Sequence, residues 1–318
     1  MILPMKKEEE SLTELFQSLV GQPLRRNVPL KEYSTFRIGG PADFFFEAHH
    51  LQELKKAIIF ALEQKIPFYV IGGGSNILFA DEGYRGLIIK NSSRGINLIP
   101  DSLEVEALSG TRLADLVEFT CESGLAGLEF LAGIPGTVGG AVWGNAGAFG
   151  RSTGDSLVAA FIWEKGEEKE VDRDFLAFGY RTSRLKEGAY LLLSARFKLE
   201  KDKPESIRKR INDILALRRL KHPPEGTFCA GSFFKNVLLP DGQKLAAGLL
   251  LDQTGVKGLK YGGAMVYPGH ANFIVNTGEA RAAEVLHLAA EMKARVREKF
   301  GVELEEEVIY LEATSSMF

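Results

Sequence analysis

Two glycine-dense segments carry the strongest chemical signal in this sequence. Ile71-Gly72-Gly73-Gly74-Ser75-Asn76 follows the apolar run Phe68-Tyr-Val-Ile. Three successive glycines let the backbone turn tightly and bare its N–H groups. Such a nest of amides suits an anionic diphosphate, and Ser75 and Asn76 add side-chain donors. A plain tight turn explains an isolated Gly-Gly-Gly equally well. The second segment holds Gly133, Ile134, Pro135, Gly136, Thr137, Gly139 and Gly140, then Gly144, Asn145, Ala146 and Gly147, within a stretch 124–150 that has nine glycines. Ordering so much glycine is entropically unfavourable, which makes sense if the backbone lies directly against a flat or extended ligand. The alternative is a mobile linker, but linkers are polar, and this segment carries Ile134, Val138, Val142 and Trp143. The two segments together point to one long ligand held between them. There is no G-x-x-x-x-G-K-[ST], and no amphipathic helix follows Gly74, so neither a P-loop nor a Rossmann turn is supported.

The elements that must position these segments are legible from periodicity. Met1 to Glu10 reads as a frayed tail, and Ser11-Leu-Thr-Glu14 as a capping box opening a short helix with Leu12, Leu15, Phe16 and Leu19 on one face. An aromatic strand at Phe44–Phe46, a helix marked by Leu51, Leu54, Ile58 and Ala61, the strand Phe68–Ile71 and a strand at Gly86–Lys90 make one α+β unit. Strands then dominate from Leu103 to Leu199, interrupted by a helix near Leu113–Cys121. A new unit opens near Pro204 with a helix that Pro223 and Pro224 stop. It continues with a strand pair around Ala264–Asn276, a helix bearing Val285, Ala289, Met292 and Val296, and a closing strand at Val308–Leu311. The expected division is a tail and helix at 1–20, units at 21–92 and 93–203, and a third at 204–303, with 304–318 returning to the second.

Composition narrows the classes of function. The 318 residues are 45% hydrophobic and 25% charged, an ordinary globular balance for two or three domains. A net charge of −3 argues against a general nucleic-acid grip. Two cysteines, Cys121 and Cys229, make neither a disulfide framework nor a four-cysteine zinc site, and read as free thiols in a reducing compartment. No metal is expected. No apolar run is long enough to span a membrane, and the first ten residues lack the apolar stretch of a secretory signal.

A set of strings, in order and sensibly spaced, resembles a known family. YSTFRIGGPAD, VIGGGSNIL, LEFLAGIPGTVGGAVWGNAGAFG, FGYRTS, CAGSFFKN, GHANFIVN and FGVELEEEVIYL span Tyr33 to Leu311. Together they are similar to the UDP-N-acetylenolpyruvoylglucosamine reductases of peptidoglycan precursor synthesis. The resemblance implies an α+β fold: an FAD-binding, vanillyl-alcohol-oxidase-type pair of subdomains plus a C-terminal α+β substrate-binding domain. It implies non-covalent FAD along both glycine segments, NADPH as co-substrate, UDP-N-acetylglucosamine-enolpyruvate as substrate, and a cytoplasmic monomer.

The same resemblance assigns the reacting groups to Arg181, Ser232 and Glu307. In the implied reaction a hydride reaches C3 of the enolpyruvyl group and a proton reaches C2. A guanidinium can bind the substrate carboxylate bidentately and stabilise the charge that builds there. Ser232 would donate the proton, with Lys235 a candidate cation beside it, and Glu307 would assist in protonated or water-bridged form, since two bare carboxylates repel. Strand alternation puts Glu305 and Glu307 on one face without choosing between them; the family register selects Glu307. For the diphosphate the match assigns Lys221 and Asn236, with Arg218 a neighbour. Compensation of the helix dipole is an equal explanation of Arg218 and Arg219.

Phe228-Cys229 and Val237 depart from the family's usual Pro-Asn and Pro. Only about 20 residues separate Ser183 from the Pro204 helix, which matches a shorter subgroup without a tyrosine-bearing substrate loop. Two other readings stay open on the residues alone: an alcohol oxidase or dehydrogenase of the same FAD fold, and a non-catalytic flavin or nucleotide sensor.

Overall fold

The computed structural model describes residues 3–188, 190–239 and 242–316. Its first sheet has the order Arg25–Pro29, Pro41–Ala48, Tyr84–Asn91, Phe68–Ile71, with the last three strands parallel. Leu87, Ile88 and Ile89 are fully buried. That explains the unbroken apolar run of the Tyr84–Asn91 strand, which is covered on both faces. The helix Leu51–Glu63 packs Leu54, Ala57, Ile58 and Ala61 into the core beneath it, and Glu53 accepts from the His49 and His50 amides at its start.

The second sheet is antiparallel, with the order Glu167–Asp172, Leu157–Glu164, Leu191–Lys198, Glu104–Leu108, Ile96–Leu98. Trp163, Leu191 and Leu193 from it enter the core of the first sheet, so the two units share apolar packing. The third sheet is built of four short strands, Phe228–Cys229, Ile274–Asn276, Ala264–Val266 and Lys260–Tyr261. The helices Ala247–Gln253 and Ala282–Phe300 contribute to its core. Phe36, Ile38 and Leu78 from the N-terminal third of the chain fill the same core.

Four expectations change. The first helix runs Leu3–Val20, so residues 3–10 are helical and Ser11 lies inside the helix rather than capping it; the Lys and Glu run there favours helix. The second glycine segment is not one loop, because Val138–Trp143 forms a short helix capped by Thr137, whose Oγ1 accepts from the Gly140 amide at 3.4 Å. The closing strand, Ile309–Leu311, pairs in parallel with Ile77–Phe79 of the first unit, not with 93–203. Finally, Ala247–Gln253 is a helix that the periodicity did not announce.

Candidate active site

The two glycine segments touch. Ser75 Oγ donates to the Pro135 carbonyl at 2.9 Å, and a Cβ on Gly72 would lie 2.4 Å from Thr137 Oγ1. A Cβ on Gly73 would lie 3.1 Å from the Gly136 Cα. Gly74 has a φ of +62° and its own Cβ would fall 1.9 Å from the Tyr33 carbonyl oxygen, so only glycine fits there. Asn76 Nδ2 donates to the Glu307 carbonyl at 2.9 Å. Ser75 and Asn76, expected to offer side-chain donors to a ligand, instead tie the first segment to the second and to the end of the chain.

From that junction the second segment runs through the helix Val138–Trp143, roughly 9 Å long, to a turn that holds Arg181. Asn145 Nδ2 donates to the Gly179 carbonyl at 2.8 Å while its Oδ1 accepts from the Gly154 amide at 3.0 Å. Gly147 accepts from Arg181 Nη1 at 3.1 Å, and Ser183 Oγ donates to the Trp143 carbonyl at 2.8 Å. Gly144, Asn145, Ala146 and Gly147 therefore sit beside the reacting-group candidates, whereas Ile71 to Ser75 and Gly133 to Thr137 form the other end of one tract.

Arg218 meets this tract from the helix Pro204–Lys221. A Cβ on Gly133 would lie 2.8 Å from Arg218 Cδ, and the guanidinium lies 5.6 Å from the Phe149 ring. Burial holds its pKa below the ordinary arginine value. Among the described residues its Nε and Nη2 are buried without a hydrogen-bond partner. A desolvated cation with orphaned donors is poised for an anion. The helix that carries Arg218 is pinned to the same segment by Arg210, which bonds Glu129 Oε1 at 2.7 and 2.9 Å, while Glu129 also accepts from the Gly127 amide at 2.7 Å.

Arg181 and Glu307 meet although 126 positions separate them. Arg181 Nε lies 2.6 Å from Glu307 Oε1, with the two side chains 24% and 22% exposed. The pair is close but Nε makes no aligned hydrogen bond. Burial pushes the Glu307 carboxyl above the usual range, and Arg181 foremost, with Lys235 and Lys186, pulls it back. Its backbone N–H donates to the carbonyl of Phe233, the residue that follows Ser232 in the chain, at 2.8 Å. Glu305, on the same face, is 73% exposed and pairs with Lys235. Lys235 is thus engaged by Glu305 instead of standing free beside the serine.

Ser232 lines a cavity of about 360 Å³ with Asn236, Leu249, Asp252, Lys257, His270 and Asn272. Of Arg218, Lys221, Lys235 and Asn236, only Asn236 lines this cavity. Asn236 Oδ1 also accepts from the Ala247 amide at 3.1 Å, capping the helix Ala247–Gln253, and its own N–H donates to the Tyr180 hydroxyl at 3.1 Å. Lys221 is exposed in the last turn of its helix. Cys229 has its thiol pushed up by burial, which keeps it protonated and unreactive. Sequence reasoning missed Lys186, Tyr180, Asp252, Lys257 and His270; the first two stand within FGYRTSRLK, beside the arginine that was found.

Comparison with known proteins identifies the fold and the family. Residues 42–163 match a model described as FAD binding domain, and residues 223–311 match UDP-N-acetylenolpyruvoylglucosamine reductase, C-terminal domain. The second match contains Ser232 and Glu307. The UDP-N-acetylenolpyruvoylglucosamine reductase of Carboxydothermus hydrogenoformans is 41% identical over 298 residues, covering 93% of this chain and 97% of that protein. That of Chlamydia muridarum is 40% identical over 286 residues, covering 90% and 93%. The crystal structure of UDP-N-acetylenolpyruvylglucosamine reductase from Thermus caldophilus superposes with a TM-score of 0.75 at 37% identity, covering 90% of this chain and 99% of that one. The fold is accordingly the α+β FAD-binding type followed by the C-terminal domain of that reductase, and the chain belongs to the UDP-N-acetylenolpyruvoylglucosamine reductase family.

Proposed function

We propose that the protein reduces the enolpyruvyl ether of UDP-N-acetylglucosamine-enolpyruvate to the lactyl ether of UDP-N-acetylmuramate, with NADPH as reductant, for peptidoglycan precursor synthesis. The observation that carries this reading is the meeting of Arg181 and Glu307 where the second glycine segment ends, with the Glu307 amide bonded to Phe233, the residue after Ser232. The orphaned guanidinium nitrogens of Arg218 against Gly133 fit an anionic cofactor. FAD lying along the two glycine segments would supply the hydride.

The chain's own groups do the rest. Arg181 swings part of its fork from Glu307 to the substrate carboxylate and stabilises the charge that builds as the double bond is reduced. Ser232 Oγ gives its proton to C2. Glu307, whose carboxyl burial pushes above the usual range, holds Arg181 in place. Asn236, at the cavity wall, and Lys221, at its helix end, meet the diphosphate. Arg181, Ser232 and Glu307 all belong to one chain, and the reading needs no second copy to complete the site, which supports a monomer. Its nucleotide substrates are highly charged and do not cross membranes, which places it in the cytoplasm; no helix among the described residues is long and apolar enough to span a bilayer.

The test is to follow NADPH loss by the purified holoprotein with and without the enolpyruvyl substrate, and to weigh the product. Substrate-dependent oxidation with a product heavier by two hydrogens is expected. Oxidation of a simple alcohol instead, or bound flavin with no turnover, would replace the reading with one of the two alternatives.

A further inference from the structure

Arg181 stands in a backbone conformation that needs an explanation. Its φ is +57°, which is uncommon for a residue with a side chain. Gly179 and Thr182 close the turn around Tyr180 and Arg181 by paired backbone bonds of 3.0 and 3.4 Å. Within that turn the Arg181 carbonyl is held by one side chain: Lys186 Nζ donates to it at 2.7 Å. Lys186 belongs to the following 3-10 turn, Arg184–Glu187, and its ammonium lies 4.3 Å from the centre of the Trp143 ring, a cation–π contact. Trp143 ends the helix of the glycine segment and its carbonyl also receives Ser183 Oγ. Lys186 thereby bridges the cofactor tract to the backbone of Arg181.

The placement of Lys186 is unfavourable by itself. Its ammonium is half-buried and bonds a neutral carbonyl, and among the described residues no carboxylate forms an ion pair with it. Burial lowers its pKa, Lys235 and Arg181 lower it further, and Glu307 and Glu305 oppose them. A lysine kept there against desolvation and like charge is not explained by stability.

We propose that Lys186 is a positioning residue of the reaction: it locks Arg181 in the left-handed conformation that brings the guanidinium to Glu307 and adds a third cation around that carboxyl. The inference rests on the reading of Arg181 and Glu307 as reacting groups. Glu307 is faced by Arg181 from the Gly179–Thr182 turn, by Lys186 from the 3-10 turn, by Lys235 after Ser232, and by the neutral Asn76 from the first glycine segment. Glu305 neighbours the same lysines. Removing Lys186 leaves two cations where there were three, so the Glu307 carboxyl titrates at higher pH.

The experiment compares Lys186→Met, Lys186→Gln and Lys186→Arg in the flavin-loaded protein, after wild-type turnover has been established. Lys186→Met is expected to keep its flavin spectrum and to lose about 10²-fold in kcat, the scale of a small misplacement. Its kcat–pH profile should move to higher pH, and Lys186→Arg should recover both. Lys186→Gln, which keeps a donor without charge, should recover rate but not the profile. A Lys186→Met enzyme within about threefold of wild type and with an unmoved profile overturns the proposal. A crystal structure of Lys186→Met with the Arg181 φ and its contact with Glu307 unchanged overturns it too. That readout needs no turnover, so it separates failure of this inference from an inactive wild type, which would sink the underlying reading instead.

Discussion

Arg181 Nε and Glu307 Oε1 stand 2.6 Å apart, and this contact joins a turn between two strands of the second sheet to the segment that closes the chain. The two residues are brought together because the closing strand leaves the third unit at the Phe233 carbonyl, takes the amide of Asn76, and then pairs with Ile77–Phe79. Anything that loosens this return path unhooks the carboxyl from the guanidinium. The pair is only part-buried and its Nε is not aligned, which suits the proposed role of Arg181 as a pre-set cation for a substrate carboxylate more than that of a structural clamp.

Arg181→Lys should therefore damage chemistry while sparing the fold. Lysine keeps the charge but lacks the planar fork. Steady-state NADPH oxidation should fall by about 10²–10³-fold, the scale of losing one transition-state donor. The flavin spectrum and melting temperature should stay near wild type.

Ser232→Ala removes the proposed proton donor and nothing that the glycine tract uses. Flavin reduction by NADPH should persist. Turnover of the enolpyruvyl substrate should drop by about 10²–10⁴-fold. Stopped-flow absorbance of the two half-reactions separates them, and normal turnover would remove Ser232 as the acid.

His222 gives a stability prediction with a definite sign. Burial, then Arg218, His270 and Lys221, push its pKa from 6.5 to about 4. The unfolded chain binds the proton more tightly, so stability is complete above about 6.5 and is lost as pH falls toward 4. Urea unfolding at pH 7.5 and 5 should show a smaller loss for His222→Gln than for wild type. A remaining slope is expected, because burial shifts His270 in the same direction.

The glycine tract was legible in sequence because its apolar residues rule out a linker, and the structure joins the two segments as one surface. The reacting groups were not. Positions 181, 232 and 307 lie on three distant stretches, and only the resemblance put them together. Alternation could not choose between Glu305 and Glu307, which differ in the structure by exposures of 73% and 22%. The partner of the closing strand was missed because a parallel pair more than 200 residues apart leaves no local trace. The helix Ala247–Gln253 was missed because Leu249, Leu250 and Leu251 form an apolar run without helical period, with Leu249 left 58% exposed.

Arg218→Gln tests the anion seat beside Gly133. Losing a charge-assisted bond is worth about 1.5–3 kcal/mol, so FAD affinity measured by fluorescence titration should fall roughly 10- to 150-fold. The apoprotein should melt no lower than wild type, because a desolvated, unpartnered cation has been replaced by a neutral amide.

The most direct test of the account is anaerobic reoxidation of the reduced holoenzyme by the enolpyruvyl substrate. One equivalent of substrate should restore the oxidised flavin band completely in wild type and only very slowly in Ser232→Ala. Reduced flavin that stays reduced in wild type, or that reoxidises equally fast in the variant, would contradict it.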